Sequence, residues 1–431
     1  MTPAAQAPLC YGTRPLEDRD LEWIRARAYE HGRVLENDGL TLLGLGTAAS
    51  IELPSGLEDP SALARVVARL GAIAEVSSGA ATVASACPSV PIALGALPFD
   101  RKAAGRLAVP EMTVVARPGA LATAVVVGSR ERLPELVRGP LELVARREAE
   151  VPTPPPDEFT LRSSRSHQDF LARVDAALAE IATGPLEKIV LAREVQVIAN
   201  RPLRQSDLLE RLRALHPSCT VFGLDGFLGA TPELLISRFG ARIASCPLAG
   251  TAARSGDPEA DSKAAEILLL SAKERREHRS VVDAITIALA SVTASLEFPA
   301  GPTIRELRNV SHLATSITGT LAAREGGYPS ALDLVGLLHP TPAVAGVPVE
   351  LALSSLTRLE DLDRDRYAGP LGWVDARGDG EWHLGIRSAV VEGSSARLYA
   401  GVGVVAGSDP AAELAETQLK LQAFLAAAVR P

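Results

Sequence analysis

The chain is poor in several features, and each shortage closes off a class of protein. It has four cysteines in 431 residues, Cys10, Cys87, Cys219 and Cys246, and no two are spaced as C-x-x-C. A zinc centre or disulfide framework has no support from that spacing, so the cysteines read as small buried hydrophobes and the expected compartment is a reducing cytoplasm. No run of about 18 uncharged apolar residues occurs, so no membrane-spanning helix is expected. The apolar stretch from Leu40 to Leu53 is short and broken by glycine. Met1 to Asp18 contains no basic segment followed by an apolar one, and a secretory signal is not expected. Positive charge is not in excess: 44 Lys and Arg against 52 Asp and Glu leave a net charge of −8. That balance argues against a nucleic-acid partner, which needs a basic face. There is no glycine-rich loop of Walker type to cradle a phosphate, and no internal repeat.

What remains is a composition of 47% apolar and 22% charged residues, ordinary for a globular protein. The length suits one large domain or two ordinary ones. Residues 1–15 are expected to be flexible, and residues 16–150 mix helical and strand patterns without a chemical motif. A proline-rich segment, Pro152 to Pro156 within 151–163, reads either as a linker between domains or as a surface crossing inside one.

From 164 to 428 the patterns sharpen. Ser166 to Ala182 predicts an amphipathic helix with Phe170, Val174, Ala177, Leu178 and Ile181 on one stripe. Lys188 to Ala199 alternates and predicts a strand. Cys219 to Ser245 predicts several short strands. Asp261 to Leu296, free of Gly and Pro, predicts one long helix. Tyr367 to Val391 predicts a hairpin turning at Gly378–Gly380, and Ala396 to Val405 a strand. Pro410 to Val429 predicts a last helix capped by Asp409. Runs of strands followed by helices point to an α+β fold with largely antiparallel sheets.

Two glutamate pairs are spaced three apart on predicted helices: Glu274 with Glu277, and Glu413 with Glu416. Each pair shares one helical face. Four facing carboxylates are costly unless a cation neutralises them, and oxygen ligation suits Mg²⁺. Either pair alone equally describes a solvated helix surface. Lys188 opens an apolar strand and reads either as a desolvated base or as an exposed strand end. Glu233, between Pro232 and an apolar run, reads as a general acid of raised pKa or as an ordinary turn residue. Gly401 and Gly403 alternate in a strand, so another group comes close to that backbone, whether a carboxylate or a packed neighbour. Arg387, inside the predicted strand, reads as a carboxylate clamp or a surface ion pair.

Taken in order, a series of stretches resembles the chorismate-binding enzymes. The first are Lys188–Arg193, Ala230–Leu235, Pro247–Thr251, Lys273–His278 and Ser311–Leu313. They continue through His339–Val344, Tyr367–Gly369, Ile386–Ser388, Ala400–Gly403 and Glu413–Thr417. The resemblance runs from about Phe170 to Leu425 and is faint before Pro152. It implies one large domain of two packed antiparallel sheets with helices outside, the proline segment being an internal crossing. It implies Mg²⁺ bound directly by Glu277 and Glu416 and through water by Glu274 and Glu413. Gly250 and Thr251 would meet the ring carboxylate of chorismate. Tyr367, Arg387 and Gly401 would hold the enolpyruvyl carboxylate, and His312 and Lys420 would line the site.

Within that family the residues separate the reactions. A lysine at Lys188 resembles the members that add water, and Ala249 departs from the nucleophilic lysine of aminodeoxychorismate synthases. Ala343 stands where pyruvate-eliminating members tend to carry Thr. Isochorismate synthases are therefore the nearest likeness and salicylate synthases the alternative. Val349 departs from the basic residue that many relatives place there. The implied reaction has neutral Lys188 as base for water at ring carbon 2, and protonated Glu233 as acid for the departing 4-hydroxyl. No glutamine amidotransferase subunit is expected, and a monomer is.

Overall fold

The computed structural model describes residues 8–76, 90–120, 122–139, 154–325 and 327–429. Among them the strands form a 13-stranded sheet, a 9-stranded sheet and a 3-stranded sheet, with ten helices around them. Pairing is antiparallel apart from a short parallel contact between Leu9–Pro15 and Ala74–Glu75. This is the expected α+β arrangement.

Both large sheets mix strands from before and after the proline-rich segment. Arg33–Asn37 lies beside Thr220–Leu224 in the first sheet, and Ile92–Ala96 lies beside Pro370–Asp375 in the second. The alternation that predicted Lys188–Ala199 is real: that strand pairs along Ser395–Val405 from Lys188 to Ile198. Its apolar residues, apart from half-buried Ile198, are buried on both faces, as expected of a strand between two cores.

Three expectations need correction. Residues 1–15 are not wholly flexible: Leu9–Pro15 pairs residue for residue with Thr123–Ser129, because Cys10 and Tyr11 bury their side chains there. The long helix is two helices, Pro258–Leu270 and Ala272–Ala290. Ser271 breaks it without Gly or Pro, ending the first helix in an extended conformation (ψ 115°) and capping the second by accepting from Glu274 N. The chain then leaves the second helix and forms the strand Thr293–Glu297. Arg387 is not inside a strand: the hairpin ends at Leu384, and Arg387 sits with φ 53° before the next strand, Ser388–Glu392. Cys87 and Pro152 lie outside the described residues; Cys10 and Cys219 are buried, and Cys246 is half-buried.

Two helices carry the glutamates into position. Ala272–Ala290 packs on Leu248–Ala253, a strand of the small sheet, and Pro410–Ala428 packs on Ser395–Val405. Asp409 caps the latter by accepting from Ala412 N, and Pro410 occupies its first turn.

Candidate active site

The cavity forms where the chain changes sheets. Phe227–Thr231 belongs to the first sheet and Leu234–Phe239 to the second, so Glu233 sits on the crossing between them. The crossing is pinned: Thr231 Oγ1 donates to Leu384 O at 2.7 Å, and Leu384 N donates to Glu233 O at 3.2 Å. Leu384 to Ser388 is the return crossing, and it carries Arg387. A second left-handed residue is Ala368, at φ 61° beside Tyr367. The two bends are tied by Ala368 N to Gly385 O (2.9 Å) and Gly385 N to Gly369 O (2.8 Å). Strain held by such a frame is a feature of preorganised sites.

The enclosed volume is about 80 Å³. All four predicted glutamates line it, with Glu233, Gly250, Thr251, His312 and Ala343. Tyr367, Arg387, Gly401, Gly403 and Lys420 complete that wall. Lys188 stands one contact behind the surface. It is 2% exposed, and its Nζ lies 2.9 Å from Glu277 Oε1. The exposed-strand-end reading is thereby removed.

Glycine is needed at two places. A Cβ on Gly403 would fall 2.6 Å from Glu277 Oε1 and 2.9 Å from Lys188 Cε. The close approach read from the alternating glycines is this ion pair. Gly250 has φ 73°, and a Cβ there would meet Glu274 Oε2 at 3.0 Å. At Gly401 the neighbour is the Tyr367 hydroxyl, and Gly401 O accepts from Lys420 Nζ at 2.9 Å.

A chain of polar contacts runs across the cavity. Arg387 Nη2 meets His312 Nε2 at 2.9 Å, and His312 Nδ1 meets Gly250 O at 2.9 Å. A carbonyl only accepts, so Nδ1 carries the proton and Nε2 offers its lone pair to Arg387. Thr251 Oγ1 donates to Glu416 Oε1 at 3.0 Å, and Lys420 Nζ lies 2.7 Å from the same oxygen.

Burial sets the charges. Glu233, 4% exposed, has its pKa pushed up to about 7 by desolvation, although Leu248 N, Lys188, Lys420 and Arg387 pull it down. Desolvation also drives His312 down to about 3, helped by the cations of Arg387 and Lys420. It lifts Tyr367 to about 12. Glu274 and Glu413 are raised by burial. Burial pushes Glu416 the same way, but Lys420 and Thr251 outweigh it and leave that carboxyl below its ordinary value.

Among the described residues, no three acidic, histidine or cysteine side chains are already gathered around a common point suited to a metal. Each glutamate instead faces a cation or a donor: Glu277 on Lys188, Glu413 on Lys273 at 3.3 Å, Glu416 on Lys420, and Glu274 on Thr251 N at 3.3 Å. The ammonium groups mark where positive charge is favoured. The donor set is all oxygen and fits a hard divalent ion once the side chains turn toward it.

Sequence reasoning missed three residues here. Lys273 bridges toward Glu413, and only its place beside Glu274 hinted at it. Tyr399 stacks on Tyr367 with centroids 5.2 Å apart, and it alternates with Gly401 and Gly403 on one strand. Arg364 is buried in the cavity wall, and its i,i+4 spacing from Glu360 was the signal.

Comparison with known proteins agrees with this geometry. The chorismate binding enzyme family matches residues 25–429. The putative isochorismate synthase MenF of Mycobacterium tuberculosis is 40% identical over 361 residues, covering 81% of this chain and 89% of that protein. The structure of the putative 2,3-dihydroxybenzoate-specific isochorismate synthase DhbC from Bacillus anthracis superposes with a TM-score of 0.76 at 32% identity, over 93% of this chain and 96% of that one. MenF of Escherichia coli, the menaquinone-specific isochorismate synthase, gives 0.80 at 25% identity, over 99% and 96%. Sequence, sheet topology and site together make this chain a member of the chorismate-binding enzyme family.

Proposed function

We propose that the chain is an isochorismate synthase, an isomerase that moves the hydroxyl of chorismate from ring carbon 4 to carbon 2. The observation that carries this reading is a buried lysine and a buried glutamic acid of raised pKa at one cavity: Lys188 behind Glu277, and Glu233 on the sheet crossing. Water addition with loss of hydroxyl needs a base and an acid together, and both groups are buried at this cavity.

Glu277 and Glu416, with Glu274 and Glu413 behind them, are the residues that would hold Mg²⁺. Bound there, the ion would polarise the ring carboxylate. Every other task falls to the chain. Thr251 and the Gly250 backbone face the ring carboxylate. Arg387 and Tyr367 clamp the enolpyruvyl carboxylate, with Lys420 and Gly401 beside them. Lys188 takes a proton from the water that attacks carbon 2. Glu233 gives its proton to the departing 4-hydroxyl as the double bonds shift. Ala343 leaves that wall without a hydroxyl, which favours stopping at isochorismate over eliminating pyruvate.

The product feeds menaquinone or siderophore assembly; of the relatives above, one is named menaquinone-specific and one 2,3-dihydroxybenzoate-specific. The enzyme works in the cytoplasm, as a monomer and without an amidotransferase subunit. No helix among the described residues is long and apolar enough to cross a membrane.

The test is purified protein with chorismate and Mg²⁺, products separated by chromatography and weighed, with and without chelator. A metal-dependent isomer of unchanged mass and no pyruvate supports the reading. Salicylate with stoichiometric pyruvate would replace it with salicylate synthase.

A further inference from the structure

The strand Lys188–Ala199 has one complete neighbour and one broken one. Ser395–Val405 accompanies it from Lys188 to Ile198. On the other edge Gly346–Val347 pairs only with Lys188 and Ile189, and Phe159–Ser163 pairs only from Val195 onward. Val190 N still donates to Ala345 O at 2.8 Å and Ser164 N to Glu194 O at 3.2 Å, and between these two backbone bonds side chains do the pairing. Arg364 Nη2 donates to Val190 O at 2.6 Å, and Ala192 N donates to Glu360 Oε2 at 3.3 Å. The two side chains are joined by two contacts of 2.6 Å, from Nε to Oε1 and from Nη2 to Oε2. Arg364 Nη1 then donates to Val344 O at 2.8 Å, next to Ala343. Its guanidinium lies 4.3 Å from the centre of the Phe99 ring.

A side-chain pair thus stands where a strand would, and it binds the lysine strand to the loop that carries Ala343. Val190, Ala343, Val344 and Arg364 all face the cavity. The far side of Arg364 faces an outer groove of about 970 Å³. Glu360 and Arg364 are each 5% exposed. Two buried charges gain little stability over an apolar pair of the same volume. What the guanidinium adds is a planar fork whose donors point in fixed directions.

We infer that Glu360 and Arg364 are positioning residues. They fix the gap between the Lys188 strand and the Ala343 wall, so that the base and the ring are held in register. This rests on the reading of the cavity as isochorismate-forming. Neither residue reaches the reacting atoms; they act through Val190 and Val344.

The test compares wild type with the double substitution Glu360→Leu with Arg364→Met, which removes both charges at similar volume. Melting temperature, KM, kcat and pyruvate release are measured together. The expected result is a folded enzyme with KM within about threefold of wild type and kcat lowered at least about tenfold, since a small misplacement of reacting groups is costly. Part of the remaining turnover is expected to end in pyruvate, because a looser wall lets the ring tilt. A double variant with wild-type kcat and clean product overturns the inference while leaving the functional reading intact. A wild type that forms no isochorismate overturns both. Where the double variant does not fold, Arg364→Lys decides in the same way: it keeps a charge opposite Glu360 but has no fork to reach Val190 and Val344 together.

Discussion

Arg387 donates to Nε2 of His312 over 2.9 Å, and the Gly250 carbonyl on the far side of the ring fixes which nitrogen carries the proton. The imidazole is a neutral acceptor that aims the guanidinium. With its pKa driven down to about 3 by burial, it stays neutral across the working range. His312→Leu should therefore raise the KM for chorismate by about tenfold or more, the loss of roughly one charge-assisted hydrogen bond. His312→Gln, which keeps an acceptor at the Nε2 position, should recover most of it. Steady-state kinetics on both variants checks this, and log KM plotted against pH should show no inflection near 6.5.

Glu233 ties activity and stability to the same proton. Its carboxyl titrates near 7, above the ordinary value of 4.5. As the proton donor it must be protonated, so kcat should fall as pH rises through about 7. The folded state binds this proton more tightly than the unfolded one, so its contribution to stability falls as pH rises from 4.5 to 7. Above 7 the buried carboxylate costs about 3 kcal/mol, an order-of-magnitude figure from the shift. Glu233→Gln should abolish turnover yet raise the melting temperature at pH 8, with a smaller gain at pH 5. Calorimetry at the two values tests it, and equal melting temperatures would remove the argument.

Lys188→Ala should reduce kcat by about 10²-fold or more while the fold persists, the range expected for a general base. Far-ultraviolet circular dichroism reads the fold, and chorismate consumption reads the rate. A near-normal rate would sink the base assignment.

Gly403→Ala probes the same pair from the backbone. A methyl group 2.6 Å from Glu277 Oε1 must push the carboxylate away. The expected loss in kcat is about 10²-fold, the scale of an ångström-sized misplacement. The Mg²⁺ concentration for half-maximal rate should rise with it.

Glu277→Gln and Glu416→Gln should each shift that Mg²⁺ dependence upward, more than Glu274→Gln or Glu413→Gln. Titration of activity against Mg²⁺ after chelation ranks the four. An equal ranking would place all four carboxylates at the same distance from the ion.

Local chemistry was legible where the chain pattern decides it. The strand Lys188–Ala199 begins and ends where its alternation does, and Asp409 with Pro410 announces the last helix. The raised pKa of Glu233 was one of two readings its apolar neighbours allowed, the other being an ordinary turn residue. The misreadings have physical causes. Ser271 breaks a helix through a cap that a lack of Gly and Pro does not reveal. Arg387 adopts a left-handed backbone that only the sheet crossing imposes. The Lys188–Glu277 and Arg364–Val190 contacts join residues far apart in the chain, and one sequence holds no signal for such pairs.

The full-length neighbour of the Lys188 strand is made long after it. Lys188 lies opposite Val405, so a nascent chain carries this edge of the lysine strand unpaired until Ser395–Val405 has been made. At ordinary elongation speeds that interval is on the order of ten seconds or more. Throughout it, an apolar strand edge is exposed to neighbouring chains and to proteases. Slow translation late in the message, or truncation anywhere before Ser395, should therefore yield aggregate in place of a smaller working enzyme.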